Sequence, residues 1–411
     1  MRAALVVTGT EVLEGRVQDE NGPALAAVLT ECGMRMSRIT VVGDSRAEIS
    51  GVVADALASS PDLLVITGGL GPTHDDRTME AVAHAAGVAV EVHPAALDMV
   101  RRAQKAVPAR VPGPVRERGA HKQATLPVGA TVIPPPGTAP GAVLRAGATV
   151  IVVLPGPPWE CMAAWRSARG MAEVASVVGA GATTTPLRLR LAGVVESEFI
   201  DATSDDHPEA QGLVVGVCAR PAELEVTVRP RGVAADVFVA DLDRRFPGAI
   251  FSRDGSEVEE VIGRLLVARG QAVGTAESCT GGSIGARLTS VPGSSAWYAG
   301  GVVSYSDAVK AEVLRVPGAV LSRHGAVSAD VAAAMATGAI AVLGCDWSVS
   351  VSGIAGPGGG SATKPVGLVY VGVAGPGGVE VREHHLHGDR ERIRLRSSAI
   401  ALHMLRTALA G

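Results

Sequence analysis

The first 170 residues alternate apolar runs with amphipathic segments of helical length. The runs ALVVTG, DLLVITGG and ATVIVVLPG are rich in Val, Leu and Ile, as is typical of buried parallel strands. The segments ENGPALAAVLTECG, SRAEISGVVADALASS and DDRTMEAVAHAAG have the length and the end residues of helices. This alternation predicts a parallel sheet covered by helices on both faces, with its active site beyond the carboxyl ends of the strands.

The pattern changes twice farther along the chain. Around residues 171–252, LRLRLAGV and ELEVTVRP alternate like strands of a small sheet, and ESEFIDAT and ADVFVADLDRRF resemble helices. Residues 253–411 return to strand and helix units and end in a helix that begins near Asp389. We therefore predict two three-layer α/β/α domains, 1–170 and 253–411, with a small α+β domain at 171–252 between them. Residues 106–124, rich in Pro and Arg, predict a long loop.

Composition and charge narrow the classes of partner. The formal net charge is -4, and no Lys/Arg cluster is interleaved with aromatic residues, so nucleic acid is not an expected partner. The longest uncharged run is too short to span a bilayer, and no membrane partner is expected. Five scattered cysteines without a CxxC pair favour the reducing cytoplasm over a disulfide framework.

The stretch TAESCTGG places Ser278 where a predicted strand meets a predicted helix. Backbone N–H groups at such a turn can bind a phosphate or a developing oxyanion, and the hydroxyl becomes a nucleophile when a base is near. Lys310, one of only four lysines, and Tyr305 lie in YSDAVK after the next strand, so a Ser–Lys pair with Tyr305 as relay is one hypothesis. The alternative is an N-cap serine, a packed tyrosine and a solvated lysine.

Further loops carry candidate binding groups. In ITGGLGPTHDDRT, the N–H groups of Gly68, Gly69 and Gly71 are candidates to cradle a phosphate. Asp75 and Asp76 follow them, as ligands of Mg²⁺ or as helix caps. Near the C-terminus, Arg390 starts the last helix as an anion clamp or as an ordinary solvated side chain.

The order of AESCTGG, YAGGVVSYSDAVK, GAVS, SGIAGPGGGSATKPVGLVYV and HGDR closely resembles the C-terminal domain of the CinA (competence/damage-inducible) family, which is the nicotinamide mononucleotide amidohydrolase (PncC) domain. The resemblance implies hydrolysis of nicotinamide mononucleotide to nicotinic acid mononucleotide and ammonia, with no cofactor. It points to Ser278, Tyr305 and Lys310 as catalytic residues. The residues expected to bind substrate in this domain are Cys279, Thr280, Gly281, Gly282, Gly353, Ala355, Gly356 and Arg390.

The N-terminal motifs GTE with DEN, VVGD, GGLGPTHDD, KQA, GTAPG and LPGPPWE resemble the first domain of the same family, which shares its fold with molybdopterin-binding proteins. The resemblance implies a divalent-metal-dependent ADP-ribose pyrophosphatase that releases AMP and ribose phosphate. The expected metal ligands are Glu11, Asp44, Asp75 and Asp76, and the expected substrate-binding residues are Gly68, Gly69, Gly71, Thr73 and Lys122.

Two departures from the family pattern leave the first domain open to a second hypothesis. Ala120 and His121 precede KQA, and a proline run precedes GTAPG, where the family usually has Asn. The alternative is a non-catalytic nucleotide-binding or regulatory module, and a third hypothesis is an interaction protein in DNA uptake or damage response. For either enzyme the partners are small nucleotides, and we expect a cytoplasmic homodimer.

Overall fold

The structure is a computed structural model, and it describes residues 1–106, 112–179, 186–204, 212–229 and 232–411. The chain divides into two compact units, Met1–Thr185 and Pro186–Gly411. In both, strands and helices combine into α/β architecture.

The first unit is built on a six-stranded sheet of order β2-β1-β3-β8-β7-β6. Its strands are β1 (Arg2–Thr8), β2 (Arg35–Val42), β3 (Leu63–Thr67), β4 (Val90–Val92), β5 (Thr125–Pro127), β6 (Thr131–Ile133), β7 (Gly141–Ala146) and β8 (Thr149–Leu154). Its helices are α1 (Thr10–Leu13), α2 (Asn21–Glu31), α3 (Arg46–Ala58), α4 (Thr78–Ala86), α5 (Pro94–Ala106), α6 (Gly113–Gln123), α7 (Pro158–Arg169) and α8 (Ala172–Val178). The four strands β2, β1, β3 and β8 are parallel, whereas β7 and β6 are antiparallel.

Alternating side chains of the central strands create a core on each face of this sheet. Leu64 and Ile66 of β3 belong to the core that includes residues of α3 and α4. Leu63 and Val65 belong to the opposite core, which includes residues of α2 and α7. Because successive strand residues point to opposite faces, the uninterrupted apolar run of β3 requires helices on both sides, and the three-layer prediction for this unit is confirmed.

The second unit contains a larger sheet of five strands and a smaller sheet of four strands. Its strands are β9 (Leu187–Ala192), β10 (Val214–Arg220), β11 (Glu223–Arg229), β12 (Ile250–Ser252), β13 (Val273–Glu277), β14 (Tyr298–Val303), β15 (Trp347–Gly353), β16 (Leu368–Gly375) and β17 (Gly378–His385). Its helices are α9 (Glu196–Ser204), α10 (Val233–Arg245), α11 (Val258–Arg269), α12 (Ser283–Thr289), α13 (Asp307–Glu312), α14 (Gly318–His324), α15 (Ala329–Leu343) and α16 (Arg390–Ala410).

The larger sheet has the order β14-β13-β15-β16-β17. Strands β14, β13 and β15 are parallel, and β16 and β17 complete the sheet in antiparallel pairing. Residues of α11 and α16 form one core with the sheet, and α15 contributes to a core that includes Ala276 of β13. The smaller sheet, β10-β11-β9-β12, is antiparallel and packs its apolar residues against α9 and α10.

The division of the chain differs from the predicted boundaries. Val174, Val177 and Val178 of α8 lie in the core of the first unit, so this unit extends beyond residue 170. The small sheet has a core of its own but belongs to the same compact unit as the C-terminal domain. The buried Arg190 of β9 is one link between the two parts, since it pairs with Glu223 at 3.2 Å and with Glu257, which caps α11, at 2.5 Å.

Several elements were not predicted. Helix α6 occupies 113–123, inside the predicted loop 106–124, where residues 107–111 lie outside the described part. The strands β7, β10 and β17 were also absent from the sequence interpretation. None of the helices that the structure describes has both the length and the apolar character needed to cross a bilayer.

Candidate active sites

The turn that carries Ser278 lies at the carboxyl edge of the three parallel strands of the larger sheet. The Ser278 N–H donates to the Val351 carbonyl of β15 at 2.9 Å. On the other side, the Ser304 N–H, just after β14, donates to the Glu277 carbonyl at 2.8 Å. Ser278 is only 9% exposed, and its backbone is therefore fixed between two neighbouring strands before any substrate arrives.

Glu277 has a part in this turn that the sequence interpretation missed. Its buried carboxylate accepts hydrogen bonds from the N–H groups of Gly282 at 2.9 Å, Ile284 at 3.1 Å and Gly285 at 2.8 Å. The first turn of α12 is thus capped by a side chain, as expected for an acid at a helix N-terminus. The N–H of Gly282 is not available to a substrate phosphate, and that prediction was wrong.

The N–H of Gly281 is also occupied, because it donates to the Ser278 carbonyl at 3.1 Å. In contrast, the backbone N–H groups of Cys279 and Thr280 have no backbone carbonyl partner within the described ranges. Arg394 of α16 holds the loop from the other side by donating to the Thr280 carbonyl at 2.9 Å. The free donors at this turn are therefore the two that an oxyanion beside Ser278 requires.

Lys310 of α13 is a charged residue buried in this unit, since it is only 1% exposed. Its amine donates to the Ser304 carbonyl at 2.9 Å, and the Asp307 carboxylate lies 3.6 Å away. Burial lowers the pKa of Lys310, and the nearby Asp307 opposes that shift only in part. The Ser304 N–H donates to the carbonyl of Glu277, the residue before Ser278. The amine of Lys310 and the serine therefore lie at adjoining strand ends.

Cys279 follows Ser278 but has the wrong electrostatics for a nucleophile. The thiol is buried, and burial raises the pKa of Cys279 to about 11. It therefore remains protonated near neutral pH, whereas thiolate is the reactive form. The structure favours Ser278 over its neighbour.

The other predicted residues of this domain form the outer part of the site. Arg390 donates to the Gly356 carbonyl at 2.6 Å and to the Tyr305 hydroxyl at 2.8 Å, which brings three predicted residues together. Tyr305 is 60% exposed, and its hydroxyl is bonded to Arg390, so the structure does not form the predicted Tyr305 to Lys310 relay. Gly353 ends β15, where a Cβ would come within 2.7 Å of Val369. Ala355, two residues farther along the chain, is buried.

In the first unit, a cavity of about 470 Å³ lies at the carboxyl ends of the parallel strands. The predicted residues that line it are Glu11, Asp44, Gly68, Gly69, Asp75 and Asp76. They come from the segments that follow β1, β2 and β3, and Gly156 follows β8. Polar loops distant in sequence therefore meet at the edge where α/β sheets bind ligands.

Threonines orient two of the carboxylates. Asp44 accepts from the N–H of Thr10 at 2.9 Å and from its hydroxyl at 2.7 Å. Asp76 accepts from the N–H of Thr73 at 2.9 Å and from the Thr73 hydroxyl. Lys122 donates to the Thr73 carbonyl and, with Gly71 and Asp76, lines a small adjoining cavity. The predicted substrate-binding residues Gly71, Thr73 and Lys122 are thus gathered around Asp76.

Close packing explains why glycines occupy the loop after β3. Gly68 has φ +105°, and a Cβ there would approach the Thr8 carbonyl oxygen to 2.3 Å. Gly69 has φ +64°, and its Cβ would meet the Thr78 hydroxyl at 2.3 Å. The Gly68 N–H donates to the Leu154 carbonyl at 3.1 Å, so its predicted role as a phosphate donor was wrong.

The donor set suits a hydrated metal better than a closed metal cage. No three His, Cys, Asp or Glu side chains of the described residues are grouped closely enough to enclose an ion, so the four predicted carboxylates do not form a preformed cluster. Mg²⁺ commonly uses one or two carboxylates together with waters and substrate phosphates. Asp44 and Asp76 accept their threonine bonds through Oδ2, and the buried Oδ1 of Asn21 has no partner. These hard oxygen donors fit such an ion.

One further residue of this site, Asn21, was missed from the sequence, and Glu160, outside the lining of both cavities, was missed as a buried acid. Asn21 donates to Thr67 at 3.1 Å and to the Gly156 carbonyl at 2.6 Å, which joins three loops; its place in DEN was the available signal. Glu160 lies so close to Gly137 that a Cβ there would come within 2.5 Å of its carboxylate, and burial raises the pKa of Glu160. His121, which precedes KQA where the family usually has Asn, contacts Glu117 at 3.1 Å.

Sequence comparisons agree with this two-part arrangement. The profile described as CinA C-terminal domain matches residues 255–409, and the profile described as probable molybdopterin binding domain matches residues 4–169. A CinA-like protein of Mycolicibacterium vanbaalenii is 43% identical over 420 residues, covering 100% of this chain and 99% of the relative. The chain belongs to the CinA family. A CinA-like protein of Mycobacterium tuberculosis is 40% identical, covering 100% of this chain and 98% of the relative.

Two solved structures of CinA proteins each match less than half of the chain. The competence/damage-inducible protein of Agrobacterium tumefaciens is 42% identical, covers 38% of this chain and 97% of that chain, and has a TM-score of 0.36. The CinA protein of Thermoplasma acidophilum is 34% identical, covers 40% of this chain and 95% of that chain, and also has a TM-score of 0.36.

Proposed function

We propose that the C-terminal domain is an amidase that hydrolyses nicotinamide mononucleotide to nicotinic acid mononucleotide and ammonia. The observation that carries this proposal is the buried amine of Lys310, which lies beside the strand end that presents Ser278. A lysine whose pKa is lowered by burial can act as the base that a serine nucleophile requires. The family resemblance supplies the substrate.

In the first half of the reaction, the Ser278 hydroxyl oxygen attacks the carboxamide carbon, and its proton passes to the neutral Lys310 amine. The oxyanion is stabilised by the N–H groups of Cys279 and Thr280, which donate to no backbone carbonyl in the described part of the chain. When the carbon–nitrogen bond breaks, Lys310 returns the proton to the leaving nitrogen and ammonia departs. The product of this half is an ester on Ser278.

In the second half, water attacks the ester carbonyl and gives its proton to Lys310. The bond to Ser278 breaks, the serine oxygen recovers a proton, and the carboxylic acid product leaves. Every step uses a proton held at Lys310 and an oxyanion held by the same two N–H groups. No metal is required by this sequence of steps.

Substrate binding is assigned to the outer part of the site. Arg390 is fixed by Gly356 and Tyr305 yet remains exposed, so its guanidinium is placed to meet the nucleotide phosphate. Because Glu277 and Ser278 already occupy the N–H groups of Gly282 and Gly281, the arginine replaces the glycine loop as our candidate phosphate ligand.

The test is ammonia release from nicotinamide mononucleotide by the full-length chain. Ser278→Ala is expected to abolish release, whereas Cys279→Ala, the matched control one residue away, retains most of it because the thiol is protonated and packed. Loss in Cys279→Ala with retention in Ser278→Ala would overturn the proposal. Circular dichroism of both variants checks that each one folds.

A second proposed function, divalent-metal-dependent cleavage of ADP-ribose to AMP and ribose phosphate, rests on the acidic cavity of the first unit. Asp44 and Asp76 would hold the metal, with Asn21 and the remaining carboxylates close by in the same cavity. The metal would neutralise charge on the diphosphate. Thr10 and Thr73 orient the two carboxylates, and Lys122 is placed to meet a phosphate oxygen.

Metal-dependent AMP release from ADP-ribose tests this second function against the non-catalytic alternative. An enzyme releases AMP when Mg²⁺ is added and stops when the metal is chelated. A nucleotide-binding module would bind ADP-ribose in calorimetry and release no AMP under either condition.

A further inference from the structure

A third cavity, of about 460 Å³, lies within the second unit between the small sheet and the C-terminal helix. One wall comes from β9, β11 and the segments that follow β9 and β10, and the other from β17 and α16. Along α16 the lining residues include Arg396, Ile400, His403 and Thr407, which recur on one face of the helix. None of the proposed catalytic residues lines this cavity.

Three buried nitrogen atoms without hydrogen-bond partners distinguish this cavity. They are His384 Nε2, His403 Nδ1 and Arg406 Nε, and all three residues line it. His403 is only 9% exposed. A buried polar atom without a partner is unfavourable, so three of them on residues that line one cavity are an unusual feature of this part of the chain.

The charge of the lining is unbalanced. Four arginines, Arg220, Arg382, Arg396 and Arg406, line the cavity with two glutamates, Glu196 and Glu223. Two of the arginines are already paired, Arg220 with Glu225 at 2.7 Å and Arg382 with Glu380 at 2.6 Å. Glu223 is already committed to Arg190 at 3.2 Å and to His403 at 2.9 Å. Arg396 has no acidic partner among the residues that the structure describes. Arg406 stacks over Phe251 at 5.4 Å, contacts Thr407 and interacts electrostatically with Glu223, without an ion pair to it.

We propose that this cavity binds a phosphomonoester of about mononucleotide size. Arg396 and Arg406 supply the cationic donors that bind phosphate oxygens, and His384 and His403 supply the remaining polar contacts. The Nε2 of His403 donates to Glu223, so its Nδ1 meets either a phosphate oxygen when the ring is charged or a phosphate hydroxyl when it is neutral. Leu224, Ile400 and Met404 offer an apolar wall to the organic part of the ligand.

The test is hydrogen exchange of the full-length chain, read by mass spectrometry, with and without sodium phosphate, AMP or adenosine at constant ionic strength. We expect phosphate or AMP to protect the peptides around 192–196 and 396–407, and adenosine to leave them unchanged. The local readout separates this cavity from nucleotide binding at either proposed active site. Protection by AMP alone identifies an organic phosphate, and equal protection by phosphate identifies the free anion.

Arg396→Gln and Arg406→Gln are each expected to weaken this protection by at least about 10-fold in the anion concentration required, since a hydrogen bond to a charged group contributes about 1.5–3 kcal/mol. Arg396 is exposed, so Arg396→Gln is not expected to unfold the chain. Arg392→Gln, on the same helix with a 76% exposed side chain, is the matched control. Absence of protection with phosphate and AMP, equal protection by adenosine, or protection unchanged in both arginine variants would overturn the proposal.

Discussion

The two proposed active sites occupy the same place in their sheets but are prepared for chemistry in opposite ways. Ser278 and Lys310 are buried, and their backbones and the lysine amine are fixed by hydrogen bonds. The first unit instead offers a cavity lined by carboxylates, among which Glu11 and Asp75 are exposed. A site that relies on a base of lowered pKa must exclude water, whereas a site that receives a metal with its substrate must admit it.

The contrast also explains how each site is stabilised. In the second unit, the Glu277 carboxylate accepts hydrogen bonds from the N–H groups of Gly282, Ile284 and Gly285 and so caps α12. In the first unit, threonines orient Asp44 and Asp76 without closing a cage around them. In the proposed mechanisms, the first arrangement uses groups of the protein alone, whereas the second would be completed by a metal ion.

Lys310→Arg is expected to have the largest effect on activity, and this effect should be confined to one of the two sites. Arginine keeps the positive charge but does not lose its proton, so it cannot act as the base. Amidase kcat/KM should fall by about 10²–10⁴-fold, the range of general acid–base catalysis. AMP release from ADP-ribose should not change, which serves as the internal control for folding of the remainder of the chain.

The pH dependence of amidase kcat/KM distinguishes a base from a structural residue, because loss of a purely structural contact would leave the shape of the profile unchanged. Because burial lowers the pKa of Lys310, the neutral amine is populated at lower pH than in ordinary lysine, and wild-type kcat/KM should rise with pH and level off below the usual lysine range. The residual rate of Lys310→Arg should lack this rise. An identical profile in both proteins would contradict a role of Lys310 as the base.

Asp76→Asn should produce the next largest effect, on the other site. Removing the carboxylate charge should lower metal-dependent AMP release by about 10–100-fold, with a higher Mg²⁺ requirement, and leave ammonia release unchanged. Asp55→Asn, an exposed acid on α3, is the control. Unchanged AMP release in Asp76→Asn would remove this residue from the site.

The elements that could be predicted from the sequence are those with a clear hydrophobic pattern. The predicted strand DLLVITGG is an uninterrupted apolar run, and β3 lies there. The edge strand β17, GVEVREHH, is largely exposed and polar, so it carries no hydrophobic periodicity to detect. Helix α6 was read as a loop because its sequence, GPVRERGAHKQ, opens with Gly and Pro and has little apolar pattern.

The site residues that could be predicted are likewise those that a local sequence pattern places at the site. Ser278 and Lys310 stood out because strand and helix signals placed them at neighbouring strand ends. The use of Glu277 as a cap and of the Gly68 N–H in a bond to Leu154 depends on atomic geometry that residue types alone do not specify. The three unpaired nitrogens of the third cavity come from β17 and α16, and no sequence pattern marks their proximity.

Glu277→Gln should mainly affect stability of the second unit. The variant replaces a buried carboxylate that accepts three N–H bonds with an amide whose NH₂ group faces a donor, so the free energy of unfolding should fall by about 1–3 kcal/mol. Urea denaturation followed by circular dichroism measures the change, with the exposed Glu312→Gln as control. Equal stability of Glu277→Gln and wild type would show that the cap contributes little.

The smallest effect is expected from Tyr305→Phe. Its hydroxyl bonds to Arg390 and not to Lys310, so its loss should lower amidase kcat/KM by less than about 10-fold, the equivalent of one hydrogen bond. The change should appear mainly in KM. A fall as large as that of Lys310→Arg would instead restore Tyr305 as a proton relay.

The most direct test of the two-site account measures both activities in one preparation of the full-length protein, with Mg²⁺ and then with an excess of EDTA. The account predicts that ammonia release from nicotinamide mononucleotide continues at the same rate in EDTA, because Ser278 and Lys310 complete that chemistry, while AMP release from ADP-ribose stops. Loss of ammonia release in EDTA, or its absence under both conditions from the folded protein, would contradict the account.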